Sequence, residues 1–368
     1  MTEEVPEPDR AEGALHPRET AVLYGHAAAE AAFLAAHASG RLHSGWLVTG
    51  PQGIGKATLA YRIAAFLLAA PSAGMFGGPD TLDIPREDRD AVLIRAGAHP
   101  RLCVIRRGVD DKTGRLRSQI TVDEVRRLRT FFGLSATDGG HRVVIVDAAD
   151  EMNPSAANAI LKLLEEPPAG AVLLLVSHQP SRLLPTIRSR CRVLRCAALG
   201  AGDLGAALAQ QGVDIDAADA LAELAGGSVG QAMRLVRMEG LETYADLVKL
   251  FTALPRIDRA AAIRLAESCT GRNAEPRFAH VLDLLDVFLS RAARAGLMGE
   301  PATQGATGEA RLLARIAPHD RAARAWAALQ QDLSARARHG KAVNLDPASL
   351  ILDMLWRIEE TARTTAAA

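Results

Sequence analysis

Residues 50–58 read Gly50-Pro51-Gln52-Gly53-Ile54-Gly55-Lys56-Ala57-Thr58, close to the phosphate-loop pattern GxxxxGK[ST]. Glycines at this spacing let main-chain N–H groups curl around phosphate oxygens. The N-terminus of a following helix adds positive potential, and Lys56 can reach the outer phosphates. The plainer alternative is a Gly-rich strand-to-helix turn with a solvent-facing lysine. An apolar run precedes the loop, and an amphipathic stretch follows with Leu59, Ile63, Phe66 and Leu67 on one face; that context favours the phosphate loop. The position after the lysine should carry a hydroxyl for Mg²⁺. Here it is Ala57, whose methyl group cannot be a ligand. Thr58 is rotated by about 100° on a helix and is not expected to replace it. Weak binding of ATP or ADP stays open, a firmly held metal is not expected, and no cofactor is required.

Two further groups belong to the same chemistry. HRVVIVDAADEMN (141–153) is an apolar strand ending in Asp147, the form of a Walker B strand whose carboxylate supports Mg²⁺. The next position, where hydrolysing proteins place a water-orienting glutamate, is Ala148. An ordinary strand-end carboxylate is the alternative for Asp147. Ser177, at the end of VLLLVS (172–177), is a sensor-like candidate for a phosphate contact. Downstream, Arg188, Arg190, Arg192 and Arg195 crowd one short segment. A guanidinium there can serve its own site, a neighbour's site or only solvent; on residue type alone, solvent is the default.

The elements that must position these groups follow from the pattern. WLVTG (46–50), VVIVD (143–147), VLLLVS and CRVLRC (191–196) alternate with helical stretches, as in a parallel sheet flanked by helices. Asn153-Pro154 is an N-cap with proline at the first helical position; Ala157, Ile160, Leu161 and Leu164 then share a face. After residue 200 the strand-like runs stop and Ala/Leu/Arg-rich helical segments take over. The fold class expected is α/β followed by all-α. GLMGEPATQGATGE (296–309) is expected as an exposed loop between helices, and the Gly/Pro/charge-rich 71–90 as a surface excursion.

Composition sets outer limits. The 368 residues hold 43 Lys+Arg against 43 Asp+Glu, which argues against a dedicated polybasic nucleic-acid binder. With 48% hydrophobic but only 4% aromatic residues, Ala and Leu must build the core, an alphabet that favours helices. No run approaches the roughly 20 apolar residues of a membrane span. The start, MTEEVPEPDRAEG, is acidic and proline-containing, unlike a signal peptide. Cys103, Cys191, Cys196 and Cys269 include no CxxC pair, so reduced thiols in a cytoplasmic protein are expected.

Taken together, GPQGIGKAT, ITVDEVRRLR, GGHRVVIVDAADEMNPSAANAILKLLEEPP and RSRC resemble the bacterial clamp-loader AAA+ family. The resemblance is dense over about 20–197 and thinner beyond. LLEEPP (163–168) and the SRC element Ser189-Arg190-Cys191 are specific to this group; a lone phosphate loop is not. The resemblance implies an AAA+ P-loop domain over 20–197, a helical lid over 198–245 and a helical collar for oligomerisation over 246–360, with disordered tails at 1–19 and 361–368. It also sorts the chain within the family. The ATP-hydrolysing gamma/tau subunits carry Thr and Glu where this chain has Ala57 and Ala148. The lid's phosphate-touching arginine falls on Gly230 of GGSVGQAMRLV. Three losses favour the non-hydrolysing branch, a stator whose arginine finger, Arg190, acts in trans. The family's four-cysteine zinc module would fall in 71–99, which has no cysteine, so no zinc is expected.

The partners so implied are gamma/tau ATPase subunits and a delta subunit in a hetero-pentamer of the DNA polymerase holoenzyme, and through it the sliding clamp and primed DNA; no membrane is involved. Residues 101–129 hold nine basic and four acidic residues. Arg106, Arg107, Arg115 and Arg117 either approach DNA phosphates or decorate a solvated loop; both readings stay open. The competing functional reading is an ATP-hydrolysing gamma/tau-type subunit or another AAA+ ATPase. A P-loop nucleotide kinase is weaker, because 200–368 offers packing helices rather than a substrate lid.

Overall fold

The computed structural model describes residues 7–11, 13–69, 79–110, 112–133, 140–213 and 217–366. Within the first half the order is α1 (Ala27–Ala38), β1 (Gly45–Thr49), α2 (Lys56–Ala69), α3 (Arg89–Arg95), β2 (Leu102–Ile105), α4 (Val122–Gly133), β3 (Arg142–Asp147), α5 (Pro154–Glu165), β4 (Ala171–Ser177), α6 (Pro185–Ser189), β5 (Arg192–Arg195) and α7 (Ala201–Gln210). The strands form one parallel sheet in the order β2-β3-β4-β1-β5. The phosphate-loop strand β1 lies between β4 and β5, so helices must cover both faces.

The period of two explains how. Trp46, Val48, Val143, Ile145, Val172, Leu174 and Val176 point to one side, where they pack with Phe33, Leu59, Ile63 and Phe66 of α1 and α2. Leu47, Val144, Val146, Leu173 and Leu175 point to the other, against Val125 and Leu128 of α4 and Ile160 and Leu164 of α5. α5 starts as its sequence dictates: the Asn153 side chain accepts from Ala156 N at 2.8 Å, with Pro154 next. The register sets Thr49 beside Ser177 and Val176 beside Asp147. The carboxyl ends of the three inner strands thus open on one crevice, the usual binding position in such sheets.

The chain divides into two compact units, residues 1–215 with 227–231 and residues 216–226 with 232–368. This division cuts across the segment 198–245 expected as a separate lid: α7 groups with the sheet. The second unit is helical: α8 (Ala218–Leu224), most of α9 (Val229–Arg237), α10 (Gly240–Phe251), α11 (Arg259–Glu267), α12 (Glu275–Met298), α13 (Glu309–Ile316), α14 (Asp320–Ala342) and α15 (Pro347–Ala366). α/β followed by all-α is therefore the fold class found. The long α12 packs chiefly on α14, with Phe288, Trp326 and Leu285 fully buried.

Two expectations are corrected. The N-terminal tail is not loose from residue 7 onward. His16 is fully buried, its ring edge-on to Tyr61 with centroids 5.7 Å apart, and Asp9 pairs with Arg106. A segment poor in apolar residues docks here because its carboxylates find cations; residues 1–6 and 12 lie outside the described set. At the other end α15 runs to Ala366, since Ala362 and Thr365 extend the buried face begun by Ile358; residues 367–368 are outside the described set. The loop 299–308 lies between α12 and α13 and is exposed along much of its length, as expected, and it is also anchored: Arg291 Nη2 donates to the Thr303 carbonyl at 2.8 Å, and Gly305 N donates to Glu309 Oε2 at 2.6 Å. The excursion at 71–90 is described only from residue 79.

Candidate functional site

The phosphate loop joins β1 to α2, and its backbone needs its glycines. Gly50 has φ +149°, and a Cβ there would lie 2.3 Å from the Cys196 carbonyl oxygen. Gly53 has φ +75°, a conformation that side chains oppose. Its carbonyl accepts from Gly230 N at 3.2 Å, and the Ile54 carbonyl lies 2.6 Å from a His26 ring nitrogen. Around the loop lies a cavity of about 280 Å³ within the first unit. Gly53, Gly55, Lys56, Ala57 and Thr58 line it, together with Asp147, His178 and Gly230.

Lys56, only 3% exposed, opens α2 and donates its Nζ to the Pro51 carbonyl. Burial pushes its ammonium down to about 8, against the pull of Asp147. Asp147, at the end of β3, is pushed up to about 7 by burial and then by the nearby Asp9 carboxylate, with Lys56 opposing. His178 is held down at about 4, by burial and by Lys56; its main-chain N–H donates to Asp150 Oδ1 at 2.9 Å. Asp9, whose side chain is fully buried, has an Oδ2 3.3 Å from His16 Nε2. Burial would raise it, but the His16 hydrogen bond and the Arg106 charge hold it below the usual carboxylate range.

The groups expected at the site do not all converge. Lys56, Ala57, Thr58, Asp147 and Gly230 meet in one cavity. Ser177 does not line it, although its neighbours Val176 and His178 do; its hydroxyl is buried with no hydrogen-bond partner among the described residues. Arg190 lies elsewhere. It follows α6 at that helix's C-cap, with Nη2 2.9 Å from Glu165 Oε1 and Nη1 donating to the Thr186 carbonyl at 3.1 Å. The guanidinium is 39% exposed and lines no part of the phosphate-loop cavity. Ser189 Oγ donates to the same Thr186 carbonyl at 3.0 Å, and burial pushes the Cys191 thiol up to about 12, so it is no nucleophile. Of the arginines weighed for DNA phosphates, Arg106 pairs with Asp9 and Arg107 with Glu151 at 2.8 Å, while Arg115 is exposed.

The cavity's fit to a nucleotide is uneven. The backbone cradle and Lys56 suit phosphate oxygens. The metal position suits Mg²⁺ poorly: Ala57 offers a methyl group, and Asp147, pushed up to about 7 by burial and by the Asp9 carboxylate, is about half protonated at neutral pH. Asp9 and His178 were not visible as site residues in the sequence. Asp9 sits in a segment with no regular pattern, and His178 follows a strand end with no spacing to mark it.

Residues 25–199 match the family model described as "DNA polymerase III, delta subunit". The match falls on the stretch whose motifs resemble the clamp-loader family. DNA polymerase III subunit delta′ of Pseudomonas aeruginosa is 40% identical over 227 residues, 61% of this chain and 64% of that protein. The delta′ subunit of Bacillus subtilis is 31% identical over 216 residues, 58% of this chain and 60% of that protein. The chain thus spans less than two thirds of the length of these delta′ relatives. The gamma/tau subunit of Mycobacterium tuberculosis is 27% identical over 276 residues, 68% of this chain and 45% of that protein. Among solved structures, a gamma-subunit-related DNA polymerase III protein of Thermotoga maritima aligns with 87% of this chain and 96% of its own, at 18% identity and a TM-score of 0.33.

A pH prediction follows from Asp147. Its carboxyl takes up a proton near pH 7 in the folded chain but near 3.8 when unfolded. Between those values the folded state binds the extra proton, so stability falls as pH rises from about 4 to about 7. Asp147→Asn should remove this slope, a difference on the order of a few kcal/mol, read from urea midpoints at pH 5 and pH 7.5. Parallel profiles for the two proteins would contradict the assignment.

Proposed function

We propose that this chain is the delta-prime-type, non-hydrolysing stator of a bacterial DNA polymerase III clamp loader. In this reading it supplies Arg190 in trans to ATP held by a gamma/tau-type ATPase subunit, beside a delta subunit, while the loader places a sliding clamp on primed DNA. The observation that carries it is the separation of two half-sites. The chain's own phosphate loop has lost its metal hydroxyl at Ala57, its water-orienting carboxylate at Ala148 and its lid arginine at Gly230. Its Arg190 meanwhile stands apart from that cavity, on the surface, braced by Glu165 and Thr186. A guanidinium so placed cannot reach phosphates in its own loop but can be offered to a neighbour's. The family-model match over 25–199 and the similarity to the delta′ protein of Pseudomonas aeruginosa support the same reading.

Arg190 would stabilise charge on the transferring phosphoryl group and hold no metal; Glu165 would keep it oriented until the neighbour's triphosphate competes for it. The helical segment 246–360 would serve as the collar. Among the described residues no helix is long and apolar enough to cross a membrane, in keeping with a cytoplasmic role. The test is reconstitution. The purified chain mixed with gamma/tau and delta subunits of the same organism should co-elute as one complex that loads clamps on primed DNA. Elution of the chain alone, with loading unaffected by its omission, would refute the proposal.

A further inference from the structure

A second cavity in the sheet-bearing unit, of about 310 Å³, shares no lining residue with the phosphate-loop cavity. Three guanidiniums from distant parts of the chain line it: Arg18 of the N-terminal segment, Arg106 just after the edge strand β2, and Arg127 of α4. Tyr61 of α2 joins them, and Ile94, Leu102 and Val104 supply apolar wall. No Asp or Glu is among the lining residues. The carboxylates that steady these cations stand outside the wall. Glu7 Oε1 is 3.3 Å from Arg18 Nη2, Asp9 pairs with Arg106, and Glu124 Oε2 is 3.0 Å from Arg127 Nη1.

Those pairs leave donors unused. Arg18 Nε is buried with no hydrogen-bond partner among the described residues, and the remaining contacts of that guanidinium are long, 3.3 Å to Glu7 and 3.4 Å to His16. The Tyr61 hydroxyl is engaged in none of the hydrogen bonds of the described residues; burial and the Asp9 carboxylate hold it protonated, so its O–H is free to donate. His99 is not available, since Nε2 is 2.9 Å from Asp90 and Nδ1 accepts from Arg101 N. A buried N–H on a charged group calls for an acceptor. Several donors converging from four parts of the chain suit an oxygen-rich anion better than a single water. The volume exceeds a bare phosphate and falls at the low end of small-ligand sites.

We propose that this cavity binds a small organic phosphomonoester. Its phosphate oxygens accept from Arg18 Nε, Tyr61 Oη and the free N–H groups of Arg106 and Arg127, and its apolar body lies on Ile94, Leu102 and Val104. The site is independent of the chain's degenerate phosphate loop and of any role for Arg190. Calorimetric titration of the full chain with phenyl phosphate, at low salt, tests it. Saturable one-to-one binding is expected, weaker for inorganic phosphate, which lacks the apolar body. Affinity should fall about tenfold or more in Arg127→Gln, whose exposed side chain can be changed without disturbing the fold, and in Tyr61→Phe. It should be unchanged in Lys56→Ala. Absence of saturable binding up to about 10 mM, or binding lost in Lys56→Ala but retained in Arg127→Gln and Tyr61→Phe, would overturn the proposal.

Discussion

Replacing Arg190 by alanine is expected to slow ATP hydrolysis by the neighbouring gamma/tau-type subunit by roughly 10³-fold or more, the range for an arginine finger that completes a phosphoryl-transfer site. The fold should hardly notice. The Arg190–Glu165 pair spans 2.9 Å, but its side chains are 39% and 42% exposed, and such pairs contribute about 0–1 kcal/mol. The loss therefore belongs to the rate. Arg190→Lys should rescue little, because a lysine ammonium lacks the planar fork that meets two phosphate oxygens at once. Single-turnover hydrolysis in the reconstituted loader, beside thermal unfolding of the free chain, separates the two effects. A variant that unfolds early, or a rate left within twofold, would count against the role.

Glu309→Ala is expected to cost about 3–5 kcal/mol, the scale for stranding a buried charge. Glu309 is fully buried at the start of α13 and collects four donors. Arg291 Nε reaches Oε1 at 2.5 Å and its Nη2 reaches Oε2 at 3.0 Å, Tyr244 Oη donates to Oε1 at 2.6 Å, and Gly305 N donates to Oε2 at 2.6 Å. Arg291 is itself 2% exposed, and Glu223 at the half-exposed edge of the network cannot satisfy it alone. Removing the carboxylate strands Arg291 Nε and the Tyr244 hydroxyl in the core of the helical unit, leaving the buried guanidinium only Glu223 and the Thr303 carbonyl. Tyr244→Phe, which removes one neutral donor, should cost only about 1 kcal/mol. Urea denaturation of the three proteins ranks these effects; a loss below about 1 kcal/mol for Glu309→Ala would mean the network is dispensable.

Neither the Glu309 network nor the Asp9 contact could be read from the sequence, and the reason is the same in both. Charges in a loop-rich segment look solvated until the fold shows where their partners lie, 18 residues away for Arg291 and 97 for Arg106. Periodic features were legible. The three inner strands declared themselves as apolar runs because both sheet faces are covered, the edge strand β5 was found through CRVLRC, and Asn153-Pro154 marked α5 by local chemistry alone. β2 was missed: LCVI is four residues long, sits at the sheet edge between arginines, and lacks the length to stand out. At the site, the losses at Ala57 and Ala148 were legible because a motif fixes which residue should stand there. The cavity's acidity was not, since Asp147 is raised to about 7 partly by Asp9, more than a hundred residues earlier in the chain.

The central claim is that this polypeptide keeps a phosphate loop but has given up turnover. ATP hydrolysis by the purified chain alone, with Mg²⁺ in excess, addresses it most directly. The account predicts a rate indistinguishable from buffer and unchanged by Lys56→Ala; sustained turnover that disappears in Lys56→Ala would contradict it.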